Sequence, residues 1–206
     1  MHKIVFVTGN KGKFAEVRDI LKTFGIEVIQ DKNGYPELQE DELEPIAAYG
    51  AQHVANKLNM PVMVDDSGIF IKALNGFPGP YSRFVEDRLG NPKVLKLMEE
   101  EKDRTAYFKT VIGYCEPGKE PLVFPGVVEG KIAYEERGTG GFGYDPIFEY
   151  EGMTFGELGD AEKNKVSHRR RAIDKFLEWF NVHVHRPPAV TLNKTPEEFH
   201  ISTGLR

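Results

Sequence analysis

A chain of 206 residues, 40% hydrophobic and 29% charged, can bury one sizeable core or a large and a small lobe. A formal net charge of −5 argues against broad binding to nucleic acid or to anionic membranes, both of which rely on a basic excess. Cys115 is the only cysteine, which fits a reducing compartment; residues 4–7 are too short a run for a signal peptide, nothing approaches the ~20 apolar residues of a membrane span, and the cytoplasm is the expected location.

Ile4-Val5-Phe6-Val7 is an apolar strand that leads into Thr8-Gly9-Asn10-Lys11-Gly12-Lys13. Phe14, Val17, Ile20, Leu21 and Phe24 then recur at helical spacing, and Gly25 ends the helix. Thr8 to Lys13 is therefore read as a strand-to-helix loop. Its hydroxyl, amide and ammonium groups, with the free N–H groups of a helix start, make a plausible cradle for a triphosphate. It is not a Walker P-loop, because only Asn10 and Lys11 separate Gly9 from Gly12, and Phe14 follows Lys13. The alternative is an ordinary polar turn.

Residues 26–29 read as a second strand, and residues 31–44 as a polar loop rich in acids, among them Glu37 and Glu40. Leu43, Ile46, Ala47, Gly50, Val54 and Leu58 mark an amphipathic helix, with Pro45 in its first turn. Val62-Met63-Val64 is a buried strand running into Asp65 and Asp66, with a turn expected at Ser67-Gly68. An apolar strand ending in carboxylates can place a hard cation beside an anionic substrate. Side chains alternate along a strand, so only one of the two acids should face the site while the other braces a loop.

Residues 69–71 read as a further strand, and residues 75–80 as a rigid turn-rich loop. Residues 81–89 and 93–101 read as helices separated by Gly90-Asn91-Pro92. Residues 105–115, 122–124 and 127–133 read as antiparallel strands joined by Gly/Pro turns, forming a long curved hairpin or second lobe. Residues 138–143 match G-x-G-x-x-G, but Pro146 and an extended run follow where a dinucleotide fold needs a helix. What remains is a flexible loop carrying an aromatic face, Phe142, and an acceptor, Asp145, suited to a planar ligand. Asp160 is expected to cap a short helix, and Ser167 to cap a second whose first turn is His168-Arg169-Arg170-Arg171. Cations there oppose the helix dipole, so either an anion lies nearby or the turn is solvated. Residues 181–206 lose all periodicity and are read as an extension of unknown role to a domain spanning 1–180.

Taken together, residues 8–13, Asp65-Asp66-Ser67-Gly68, residues 74–81, residues 138–148 and residues 162–169 resemble the inosine triphosphate pyrophosphatase family, in that family's order. The resemblance implies an α/β fold: an elongated two-lobed mixed sheet with a central cleft and flanking helices. It implies Mg²⁺-dependent hydrolysis of ITP, dITP or XTP to the monophosphate and pyrophosphate, and a homodimer. By motif position, Thr8, Gly9, Asn10, Lys11, Gly12 and Lys13 would hold phosphates. Asp66 would be general base and metal ligand, and Ser67 would touch substrate. Glu37 would be the other metal carboxylate, with Glu40 as its rival. Phe142, Gly143, Tyr144, Asp145, Lys163, His168 and Arg169 would hold the base and the triphosphate. On this reading Arg169 donates to the purine 6-carbonyl, and its removal costs turnover rather than stability. The family commonly has a lysine in the second helix, where Gly50 or Gln52 stands here. Competing readings are a non-catalytic purine nucleotide sensor and a phosphatase that releases a single phosphate.

Overall fold

The computed structural model describes residues 2–184. The elements are β1 (His2–Val7), α1 (Lys11–Lys22), β2 (Ile26–Asp31), α2 (Leu43–Leu58), β3 (Val62–Ile71), β4 (Pro78–Gly79), α3 (Ser82–Leu97), β5 (Thr105–Cys115), β6 (Leu122–Ile132), β7 (Phe148–Tyr150), β8 (Met153–Thr154), α4 (Asp160–Val166) and α5 (His168–His183). Among these residues the strands form one mixed sheet in the order β2-β1-β3-β5-β6-β7-β8, with β4 on β3. β2, β1 and β3 run parallel, and β5 to β8 continue the sheet antiparallel. No helix of the described residues is long and apolar enough to cross a membrane. Residues 185–206, most of the expected extension, lie outside the description, and α5 carries three residues past Phe180.

Three apolar clusters give the molecule its two lobes. On one face of the sheet, Ile4, Phe6, Met63 and Ile112 pack under α1 and α5 through Leu21, Ile173, Phe176 and Phe180. Further along the same face, Ile69, Ile71, Phe108, Val128 and Phe148 pack with Val85 and Val94 of α3. On the opposite face, Val5, Val62, Val64 and Val111 lie under α2. The first two clusters are separated by a polar strip. Asp65 and Ser67 of β3 point to that face between Met63 and Ile69, and Ser67 Oγ lies 2.7 Å from Thr110 Oγ1 on β5. A sheet face that is apolar, then polar, then apolar cannot be covered by one continuous layer, and a cleft opens at the polar strip.

Two expected breaks are absent. β3 is one ten-residue strand through Ser67-Gly68, and β6 runs unbroken through Pro125-Gly126. Gly68 is needed for close approach, since a Cβ there would sit 2.2 Å from Gly79 O; at Gly126 a Cβ would sit 2.1 Å from His168 O. β7 meets β6 at Lys131 and Ile132, so among the described residues no strand lies beside Pro125 on that edge and its missing N–H costs no ladder bond. The break in α3 is present: Gly90 (φ 68, ψ 170) interrupts the helix before Pro92. Helix α1 begins at Lys11, earlier than expected, so Lys11, Gly12 and Lys13 form its first turn. Gly159, and not Asp160, occupies the N-cap position of α4.

Candidate active site

β1 pairs with β3 only over Val5–Val7, opposite Val62–Val64. Beyond Val64 the chain of β1 turns away, and β3 exposes an open edge at Asp65, Asp66 and Ser67 until β4 meets Ile69 and Phe70. This gap at the carboxyl ends of parallel strands is where α/β sheets bind ligands. A cleft of about 420 Å³ opens there, of a size for a small organic ligand. Thr8, Asn10, Lys13, Glu37 and Ser67 line one end; Phe142, Gly143, Tyr144, Asp145 and Lys163 line the other; His168 and Arg169 also face it.

The first turn of α1 is held by Asn10, whose Oδ1 accepts the N–H groups of Gly12 (2.8 Å) and Lys13 (3.0 Å). Those two donors are therefore committed to the cap. Lys13 Nζ reaches Asp65 Oδ1 at 3.0 Å. Gly9, Lys11 and Gly12 do not line the cleft, although Thr8, Asn10 and Lys13 do.

The two carboxylates of β3 have opposite surroundings. Asp65 accepts from Lys13 and, at 2.9 Å, from Arg169 Nε. Burial works against its ionisation, but the two cations outweigh that and hold its carboxyl well below the usual range. Asp66 points to the other face and has no ion pair among the described residues; only the Ser67 N–H donates to it, at 3.0 Å. Burial raises its pKa to about 7; Lys13 opposes the rise, while Asp65 and Glu37 add to it. An acid pushed up in this way lacks a counter-charge. A divalent cation between Asp66 and Glu37 would supply one, and an all-oxygen donor set suits Mg²⁺. Among the described residues no three His, Cys, Asp or Glu side chains converge as a cage, so such an ion would need phosphate oxygens and water to complete its shell. Glu37 lines the cleft; Glu40 does not.

Ser167 caps α5 by accepting from Arg170 N. Two of the three arginines of the basic first turn that follows are paired with carboxylates within the protein. Arg169 spans Asp65 and Glu16 (Nη1 to Oε2, 3.0 Å), Arg170 pairs with Asp174, and Arg171 donates to Val127 O. His168 is buried, stacks on Phe108 with centroids 4.7 Å apart, and is held neutral by burial and then by the nearby Arg169 and Lys163 charges. Its Nδ1 has no hydrogen-bond partner among the described residues.

The loop of residues 138–146 is pinned at several points. Gly140 N donates to Gly156 O, Tyr144 Oη donates to Ser82 O at 2.8 Å, and Phe142 N donates to Asp145 Oδ2 at 2.7 Å. Asp145 is buried against Lys163, and the Lys163 ammonium lies 4.5 Å from the centroid of the Phe142 ring. Phe142 itself is 49% exposed, an apolar ring facing outward from an otherwise fixed loop. Arg169 Nη2 and Asp145 Oδ1 make no hydrogen bond to described residues.

Sequence reasoning missed Glu16, Arg83, Glu86 and Phe108. Glu16 carried a signal: it lies one helical turn after Lys13, on the same face of α1. Arg83 and Glu86 share a face of α3 in the same way, but nothing in the chain says which face meets the cleft. Phe108 looked like one more core aromatic of β5.

A model of the Ham1 family matches residues 4–179. The chain is 92% identical over 180 residues to the dITP/XTP pyrophosphatase of Methanosarcina acetivorans, covering 87% of this chain and 98% of that protein. It is 55% identical over 184 residues to the dITP/XTP pyrophosphatase of Methanopyrus kandleri, covering 88% and 98%. The structure of a HAM1 protein from Coxiella burnetii superposes with a TM-score of 0.80 at 34% identity, over 88% of this chain and all of that one.

Proposed function

The chain belongs to the Ham1 family, and from that premise we propose that it hydrolyses deaminated purine nucleoside triphosphates, dITP, XTP and ITP, to the nucleoside monophosphate and pyrophosphate. Its resemblance to relatives that carry the name dITP/XTP pyrophosphatase supports the reaction class. The observation that carries the reading here is one cleft with two unlike ends: Glu37 with Lys13 at one, beside the strand that carries Asp66, and an outward aromatic ring with Lys163 and Asp145 at the other. A triphosphate joined through ribose to a planar base has that same polarity.

In this reading Lys13 attracts the phosphates as a point charge. Asp66 takes the proton of the attacking water. Mg²⁺ held by Asp66 and Glu37 would neutralise phosphate charge and acidify the water. Phe142 stacks on the base. Arg169 Nη2 is a donor left for the 6-carbonyl of hypoxanthine, and Asp145 Oδ1 an acceptor left for N1–H. Adenine reverses that edge and would leave both groups unpaired, a mismatch that can reach ~10⁴-fold. A homodimer working in the cytoplasm completes the proposal. Turnover of ITP, XTP, dITP, ATP and GTP with Mg²⁺ tests it. The expectation is pyrophosphate from the first three and little turnover of ATP; orthophosphate as the product, or ATP turned over as fast as ITP, would refute it.

A further inference from the structure

The break in α3 places Asn91 at the start of a second segment, within reach of the loop of residues 138–146. Gly90 is the residue of α3 with non-helical backbone angles, so a second helical segment begins at Asn91, with Pro92 next. Gly90 thus holds the N-cap position, and Asn91 is the first residue of the segment rather than its cap. Its Oδ1 is shut off from solvent and has no partner among the described residues. Its Nδ2 instead donates 3.0 Å across to the carbonyl of Gly143. An acceptor left buried and unpaired opposes folding, so this orientation is retained for what the other end of the amide holds. Gly143 has φ 64, follows Phe142 directly and lines the cleft.

We infer that Asn91 is a positioning residue: from the kink of α3 it anchors the Gly143 carbonyl and so sets where Phe142 and Asp145 meet the purine ring, without touching substrate itself. The next residue of the loop carries the Tyr144 hydroxyl bond to Ser82 O, so α3 grips the loop at two adjacent residues, from its start and from its kink. The Tyr144 bond fixes the buried side of the loop, and the Asn91 bond fixes the side next to the exposed ring. This inference rests on the proposed purine-binding role of that loop.

Asn91→Ala and Asn91→Ser, compared with the unaltered protein, test it through two readouts. KM for ITP should rise about five- to tenfold with kcat within about twofold, as expected when a binding surface is loosened and the chemistry is untouched. Amide hydrogen exchange over residues 141–145 of the nucleotide-free protein should quicken, with exchange in β3 and β5 unchanged. Unchanged KM, or unchanged exchange in the loop, would overturn the inference. So would parallel losses of kcat and thermal stability in both variants, which would make Asn91 a plain structural residue. The exchange measurement needs no substrate, so if the unaltered protein ignored ITP, the proposed function would fail on its own while the anchor was still decided.

Discussion

Asp65 and Asp66 differ by one position and by almost everything in their surroundings. Asp65 is neutralised by Lys13 and Arg169; its depressed pKa contributes stability above the ordinary carboxylate range, lost only as pH falls through the folded value. Asp66 runs the other way. Its pKa is raised from 3.8 to about 7, so the stability of the neutral acid is complete below about 4 and is lost as pH rises towards 7. A bound cation and a proton compete for that carboxylate. Mg²⁺ affinity without nucleotide is therefore predicted to be about tenfold weaker at pH 6 than at pH 8, and Asp66→Asn should remove the dependence. Calorimetric titration at the two pH values checks this; equal affinities would show that Asp66 is not a ligand. The alternation of β3 made one acid a brace and one a site residue legible from the chain. Alternation alone did not say which acid plays which part; the resemblance assigned Asp66 to the site, and the cations that single out Asp65 arrive from Lys13 and Arg169, far away in sequence.

At the scale of elements, Arg169 ties α5 to β3 through Asp65 and to α1 through Glu16. The expectation that its removal costs turnover and spares stability does not fit this geometry. Arg169→Ala leaves Glu16 without its buried cation and Asp65 with Lys13 alone, and is predicted to cost ~3–5 kcal/mol of stability, measured by denaturant unfolding. A loss under ~1 kcal/mol would mean that solvent reaches the pair. Most elements were legible because the apolar period is strong: α1, α2 and α5 each show a helical stripe, and β1 is wholly apolar. The misread points, Ser67-Gly68 and Pro125-Gly126, share one cause. Their glycines serve close packing by β4 and α5 rather than a turn, and local composition does not separate those two uses of glycine.

At the scale of the molecule, β3, β5 and β6 run through both lobes, and the cleft sits where their shared face changes from apolar to polar. The five motif stretches are scattered along the chain, and the fold explains why: four of them meet across that polar strip, while residues 74–81 lead into α3, whose kink carries Asn91. The depth of the cleft and the contribution of α3 to it were not legible, since they follow from helix orientation. If the homodimer proposed here forms, sedimentation will give twice the 23.3 kDa chain mass, and a monomer at micromolar concentration would remove it. The account as a whole rests on where water attacks. Hydrolysis of ITP in ¹⁸O-water with Mg²⁺, followed by mass spectrometry of both products, is predicted to place the label in the monophosphate and leave pyrophosphate unlabelled; label in pyrophosphate or in orthophosphate would contradict it.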